Sequence, residues 1–203
     1  RCTATSRVIV EESIYDEFIE NMIKQTSVLK IGDGLDPDSD ISPLASQSQF
    51  DTVSQYIKIG SEEGADLVYG GKTLSGGIYN EGYYIEPTIF TNVDPAMRIA
   101  QEEIFGPVLT IFKARDLEEA IHISNNVRFG LSSSIYTKDL TNAFKYVNSI
   151  ETGMVHINAP TLGGEVHLPF GGLKSSGVGH REQGLEAIEF FSEVITVYVD
   201  YAG

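Results

Sequence analysis

The sequence predicts an α/β protein, a mostly parallel sheet covered by helices, with a C-terminal strand for subunit pairing. Three observations carry that prediction. Short β-branched runs alternate with amphipathic helical patterns along the chain. Three successive strand, helix, strand units imply parallel pairing through crossovers. Residues 194–201 (VITVYVDY) give one of the strongest β signals, with no later segment to pair with, so they suit a sheet edge, the chain's own or a neighbour's.

Each element follows from its residues. Residues 6–10 (SRVIV) form a short β-branched run, and over 12–28 Ile14, Tyr15, Phe18, Ile19, Met22 and Ile23 recur at steps of three and four, which predicts an amphipathic helix. Residues 32–43 (GDGLDPDSDISP) read as a loop. A second helix over 48–63 sets Phe50, Val53, Tyr56 and Ile57 on one face, with Gly64 as its stop. Residues 66–69 predict a strand. The glycines at 70, 71, 76, 77 and 82 suggest a surface hairpin or loop, because their spacing fits neither dinucleotide nor Walker phosphate loops. Strands at 108–112, 131–135 and 154–157 alternate with helices at 116–125 and 139–150, and a last helix is expected at 184–193. The reading divides the chain into a domain over 1–193 and the strand-bearing tail 194–203.

Composition narrows the function. The chain has 203 residues and a formal charge of −15, which argues against nucleic acid or an anionic membrane as partner. No apolar run exceeds three residues, so no membrane span or signal segment can be drawn. The single cysteine excludes an intrachain disulfide and suits a cytoplasmic location. Numbering begins at Arg1 rather than Met, which points to a processed or excised piece of a longer chain.

Few side chains suggest chemistry in isolation. Cys2 is either a buried inert thiol or a nucleophile, and Arg1 and Arg7, which bracket it, are candidates to lower its pKa. His122 falls on a helix and His156 on a strand, whereas His167 and His180 lie in glycine-rich loops and could pair with a thiol. No metal-ligand spacing is present. QEEIFGP, residues 101–107, places two carboxylates before a turn at a strand's entrance. The bland reading is a solvated acidic pair; the functional one is an acceptor for sugar hydroxyls with an aromatic packing on a ring. PFGGLKSSGVG, residues 169–179, holds four glycines, which suggests backbone folded closely around a pocket.

In order and spacing, RCTATSR around Cys2, EEIFGP at 102–107, NAP at 158–160 and PFGGLKSSG at 169–177 resemble the C-terminal catalytic half of the aldehyde dehydrogenase superfamily. The resemblance covers nearly the whole chain and is most similar to the branch acting on semialdehydes. It implies that Cys2 is the nucleophile, adding to an aldehyde carbon to give a thiohemiacetal, which passes hydride to NAD or NADP and leaves a thioester for water to hydrolyse. Glu103 then matches the carboxylate that binds the nicotinamide ribose and Phe105 the aromatic beside it. Asn158 and Phe170 match positions lining the substrate funnel, and the Cys2 backbone N–H matches half of an oxyanion hole. A semialdehyde's distal carboxylate would need a cation, for which Lys174, His180 and above all Arg181 are candidates.

The family's second oxyanion donor, general-base Glu and cofactor domain precede the cysteine, so the resemblance implies that these 203 residues alone do not turn over aldehyde. The family's terminal strand extends a partner's sheet, which implies a homodimer or homotetramer. Two other readings stay open: a thiol hydrolase using Cys2 with a loop histidine, for which Glu103 beside Phe105 would have no use, and a non-catalytic assembly module.

Overall fold

The computed structural model describes residues 1–203. In chain order the elements are β1 (Arg7–Glu11), α1 (Tyr15–Ser27), α2 (Gln47–Glu62), β2 (Asp66–Tyr69), β3 (Thr88–Thr91), α3 (Arg98–Gln101), β4 (Val108–Ala114), α4 (Leu117–Asn125), β5 (Phe129–Gly130), β6 (Ser132–Ile135), α5 (Leu140–Ser149), β7 (Met154–Ile157), β8 (Leu173–Lys174) and α6 (Glu186–Phe190). They fall into two compact units.

The first unit comprises residues 1–128 and 139–150. Its sheet runs β1-β4-β3-β2, with β1 and β3 both parallel to β4 and β2 antiparallel to β3. Strand alternation divides the core between the two faces. Ile89 and Ile111 turn toward α1, joining Val10, Tyr15, Phe18 and Met22, while Phe90 and Phe112 turn toward Val53 and Ile57 of α2, Ile99 of α3 and Ile123 of α4. The four residues of β3 are all buried. That strand escaped the sequence reading because a strand covered on both faces shows no polar alternation.

Three helices begin on side-chain caps. The Ser46 hydroxyl accepts from the Gln49 N–H at 3.2 Å, the Asp116 carboxylate from Glu119 N–H at 2.9 Å, and the Asp139 carboxylate from Thr141 N–H at 2.7 Å. Gly64, at φ +95°, turns the chain out of α2.

The second unit comprises residues 129–138 and 151–203. It holds two small sheets, parallel β6-β7 and antiparallel β5-β8. The strands predicted for one sheet are thus divided between two, and a third small sheet holds the unpredicted β5 and β8, although pairing in the largest is mostly parallel as expected. The predicted final strand is not formed: residues 194–201 have no regular structure, and Val194, Ile195 and Tyr198 are more than four-fifths exposed. A strand exists only against a partner edge, and this chain pairs none with that segment. The final helix is also shorter than the predicted 184–193.

Candidate active site

The EEIFGP segment is fixed at nearly every position. Arg98 of α3 donates from Nη2 to Oε2 of Glu102 at 2.9 Å, and from Nε to both carboxylate oxygens at 3.2 Å. The Tyr56 hydroxyl donates to the same carboxylate at 2.5 Å, and the Arg98 guanidinium stands over the Tyr56 ring at 5.5 Å. These bonds, that from Arg98 foremost, hold Glu102 below the usual carboxylate range; the contact with Glu102 raises the Tyr56 phenol above its ordinary value. Ile104 is buried in the core. The carbonyls of Ile104 and Phe105 accept from the Gln49 side chain at 2.8 and 3.1 Å. Gly106 lies so close to Val53 of α2 that a Cβ there would sit 2.4 Å from its Cγ2.

What remains uncommitted is Glu103 and the ring of Phe105. The Glu103 carboxylate is exposed and has no partner within the protein. Phe105 holds φ at +53°, a left-handed conformation costly for a non-glycine residue, and its side chain is 55% exposed. The bonds on either side over-determine the turn and present these two groups to solvent. Of two adjacent glutamates, the structure thus assigns one to the scaffold and leaves the other free.

Cys2 is exposed in a turn closed by Ala4 N–H to Arg1 O at 3.1 Å. The chain then enters β1 with the Ser6 carbonyl accepting from both N and Oγ1 of Thr110, at 3.0 and 3.1 Å. Because β1 and β4 are parallel neighbours, Cys2 and Glu103 both precede the N-terminal ends of adjacent strands, toward the same end of the sheet.

Arg7 does not serve the thiol as the sequence suggested. Its guanidinium stacks over Phe112 at 5.0 Å and donates to Ile123 O at 2.9 Å and Ser124 O at 3.3 Å, capping the C-terminal end of α4. Burial lowers its pKa to about 10, so it stays cationic at neutral pH.

The remaining predicted residues lie in the second unit. Asn158, at φ +54°, donates from Nδ2 to Thr137 O and accepts at Oδ1 from Thr137 N–H, both at 2.9 Å. Both ends of its amide are therefore engaged by backbone at the end of β6. Phe170 pairs with Glu182 through two backbone hydrogen bonds of 2.7 and 3.0 Å. Between them in sequence, Arg181 donates from Nη1 to Gly172 O at 2.6 Å, so it braces the glycine-rich loop. Lys174 pairs with Glu151 at 2.6 Å, whereas His180 is exposed.

Close approach of backbone to backbone requires glycine at 177 of this loop and at Gly153 opposite it. A Cβ on Gly153 would meet Gly171 O at 1.9 Å, and one on Gly177 would meet Gly172 O at 2.2 Å. No group of three or more His, Cys, Asp or Glu is arranged to hold a metal, and no helix is long and apolar enough to cross a membrane. A surface groove of about 750 Å³ between α2 and residues 71–73 contains none of the predicted residues.

Sequence reasoning placed Val53 and Tyr56 on one face of α2 but missed Gln49, Arg98 and the shared target of all four. The only local signal was the spacing of 49, 53 and 56; their target lies some fifty residues on.

Comparison with known proteins bears on both units. The sequence model described as Aldehyde dehydrogenase family matches residues 1–197. The chain is 47% identical over 199 residues to alpha-ketoglutaric semialdehyde dehydrogenase of Bacillus subtilis strain 168, covering 98% of this chain and 41% of that protein. It is 43% identical over 201 residues to alpha-ketoglutarate semialdehyde dehydrogenase of Haloferax volcanii, again 98% and 41%. Among solved structures, betaine aldehyde dehydrogenase from Staphylococcus aureus in complex with NAD+ superposes with a TM-score of 0.88 at 35% identity, covering 92% of this chain and 37% of that one. HpcC from Thermus thermophilus gives 0.90 at 33%, with 100% and 41% covered. The chain thus spans about two-fifths of the length of these relatives.

Proposed function

This chain belongs to the aldehyde dehydrogenase family, and from that premise we propose that it supplies the nucleophile and the ribose-clasping segment of an enzyme oxidising an aldehyde to a carboxylic acid with NAD or NADP. The observation that carries the reading is the clamped 102–106 turn, which presents one free carboxylate and one exposed ring and leads into the strand beside the one that Cys2 precedes, from the same end. These groups fit the cofactor. A carboxylate without a protein partner suits the paired hydroxyls of a ribose, and a solvent-facing ring beside it suits an apolar cofactor face. When bound, the dinucleotide supplies a hydride acceptor.

In this reading the Cys2 thiolate forms a C–S bond to the aldehyde carbon, and the Cys2 backbone N–H donates to the oxygen that takes up the electron pair. Loss of hydride from that carbon leaves a thioester on Cys2. Water then cleaves the C–S bond, releasing the carboxylic acid and regenerating the thiol.

The substrate proposed is a semialdehyde, in keeping with the Bacillus and Haloferax relatives. Arg181 spends one donor on Gly172 and retains the rest of its guanidinium fork for a distal carboxylate, while Lys174 is already paired. Asn158 and Phe170 border the substrate in this reading; the Asn158 amide, engaged with Thr137, would act by holding backbone in place. The exposed tail 194–201 would extend the sheet of a second copy, giving a homodimer or homotetramer. An exposed cysteine that must stay reduced suits the cytoplasm.

The test is NADH formation from a semialdehyde by the full gene product. Cys2→Ser is expected to lower kcat at least about a thousandfold. A serine variant keeping a tenth of the activity would overturn the assignment.

A further inference from the structure

We propose that Tyr56 is a positioning residue for cofactor binding, acting through Glu102 to hold Glu103 where it meets the ribose. The inference rests on the proposed role of Glu103 and extends it to a group that touches neither cofactor nor substrate.

Helix α2 grips the 102–106 segment with one stripe. Gln49, Val53 and Tyr56 are spaced four and three residues apart, so they lie on one face of the helix. Gln49 holds the Ile104 and Phe105 carbonyls, Val53 abuts Gly106, and Tyr56 holds the Glu102 carboxylate. The contacts fall on both sides of Glu103 and skip it. A side chain with no partner of its own takes its position from its backbone, and here the backbone is set by its neighbours.

On the N-terminal side, that setting depends on Tyr56. Arg98 also binds Glu102, from four residues earlier on the short α3, and α3 is itself held to the end of α2 by the Arg98 N–H donating to Glu63 Oε2 at 2.9 Å. Tyr56 is the bond that ties Glu102 to a different element, across 46 residues of sequence. Without the hydroxyl, Glu102 keeps Arg98 but loses its direct bond to α2, which frees its carboxylate to move and to carry the Glu103 carboxylate off its target. Displacements on the order of 1 Å suffice to lose much of a directed contact.

The experiment measures Kd for NAD+ and for 5′-AMP, which lacks the nicotinamide ribose, in the full gene product and in Tyr56→Phe, Glu103→Ala and the double variant. Tyr56→Phe is expected to weaken NAD+ about three- to tenfold, the net worth of one ordinary hydrogen bond, because the lost bond acts only indirectly on the cofactor. It should leave AMP affinity and the KM for aldehyde within twofold. In the Glu103→Ala background the same substitution should change NAD+ affinity less than twofold, because no carboxylate remains to be positioned. A merely structural role would produce the same loss in both backgrounds, and that result would overturn the proposal. So would unchanged NAD+ affinity in Tyr56→Phe when Glu103→Ala weakens it. If Glu103→Ala itself leaves NAD+ affinity unchanged, the underlying reading of Glu103 fails instead. Should Tyr56→Phe not fold, Glu102→Gln, which weakens the same contact, takes its place with the same expected outcomes.

Discussion

Replacing Gly106 with alanine probes directly whether contact with α2 sets the turn. An ideal Cβ at Gly106 falls 2.4 Å from Cγ2 of Val53, 3.1 Å from its Cγ1 and 3.4 Å from its Cβ. Carbon atoms in favourable contact lie about 3.5–4.0 Å apart, so the nearest pair is short by more than about 1 Å. Val53 has no room to yield, since it is fully buried and β-branched and is stiff about χ1 on a helix. The turn must therefore move outward. Overpacking of this kind costs about 1–3 kcal/mol, and at about 2–4 °C per kcal/mol for a chain of this size Tm should fall by about 2–12 °C. Val53→Ala alone should also destabilise, by about 1–3 kcal/mol, because it empties buried volume. Combined, the two changes exchange a clash for a cavity of similar size, so the double variant should be at least about 1 kcal/mol more stable than additivity gives. Urea unfolding followed by far-ultraviolet circular dichroism measures all four proteins. A Gly106→Ala chain within about 0.5 kcal/mol of the parent, or strictly additive losses, would refute the claim that this contact sets the turn.

Three further outcomes are expected. Glu102 ionises below its ordinary range in the folded chain, chiefly through Arg98, so its contribution is present above the unfolded-state pKa and is lost as pH falls through the lowered folded value. The stability gap between the parent and Glu102→Gln should thus be widest at neutral pH and shrink on acidification; a gap growing toward acid in urea titrations would contradict the ion pair. Asn158→Ala should destabilise by about 1 kcal/mol more than Asn158→Gly, because both lose the Thr137 bonds but only alanine resists φ +54°. Thermal melts giving the reverse order would remove the backbone conformation as the reason for asparagine there. Deleting residues 194–203 should leave the helical content of the remainder unchanged and yield a smaller species by light scattering, and an unaltered oligomer would discard the tail as the joining element.

The sequence by itself determined α1, α2, α4 and α5, the strands β1, β2, β4, β6 and β7, and the residues of the EEIFGP and PFGG segments that carry the family resemblance. Those signals are local: a helical repeat or a capping side chain is complete within a few residues, and its partner is a neighbour in the chain. Tertiary structure decided what depends on distant partners. It bound Glu102 to Tyr56 and left Glu103 free, sent Arg7 to carbonyls more than a hundred residues away, and set Arg181 and Lys174 to bracing their own unit. It also left residues 194–201 without a strand, because a β segment satisfies its backbone only against an edge that its own composition does not supply.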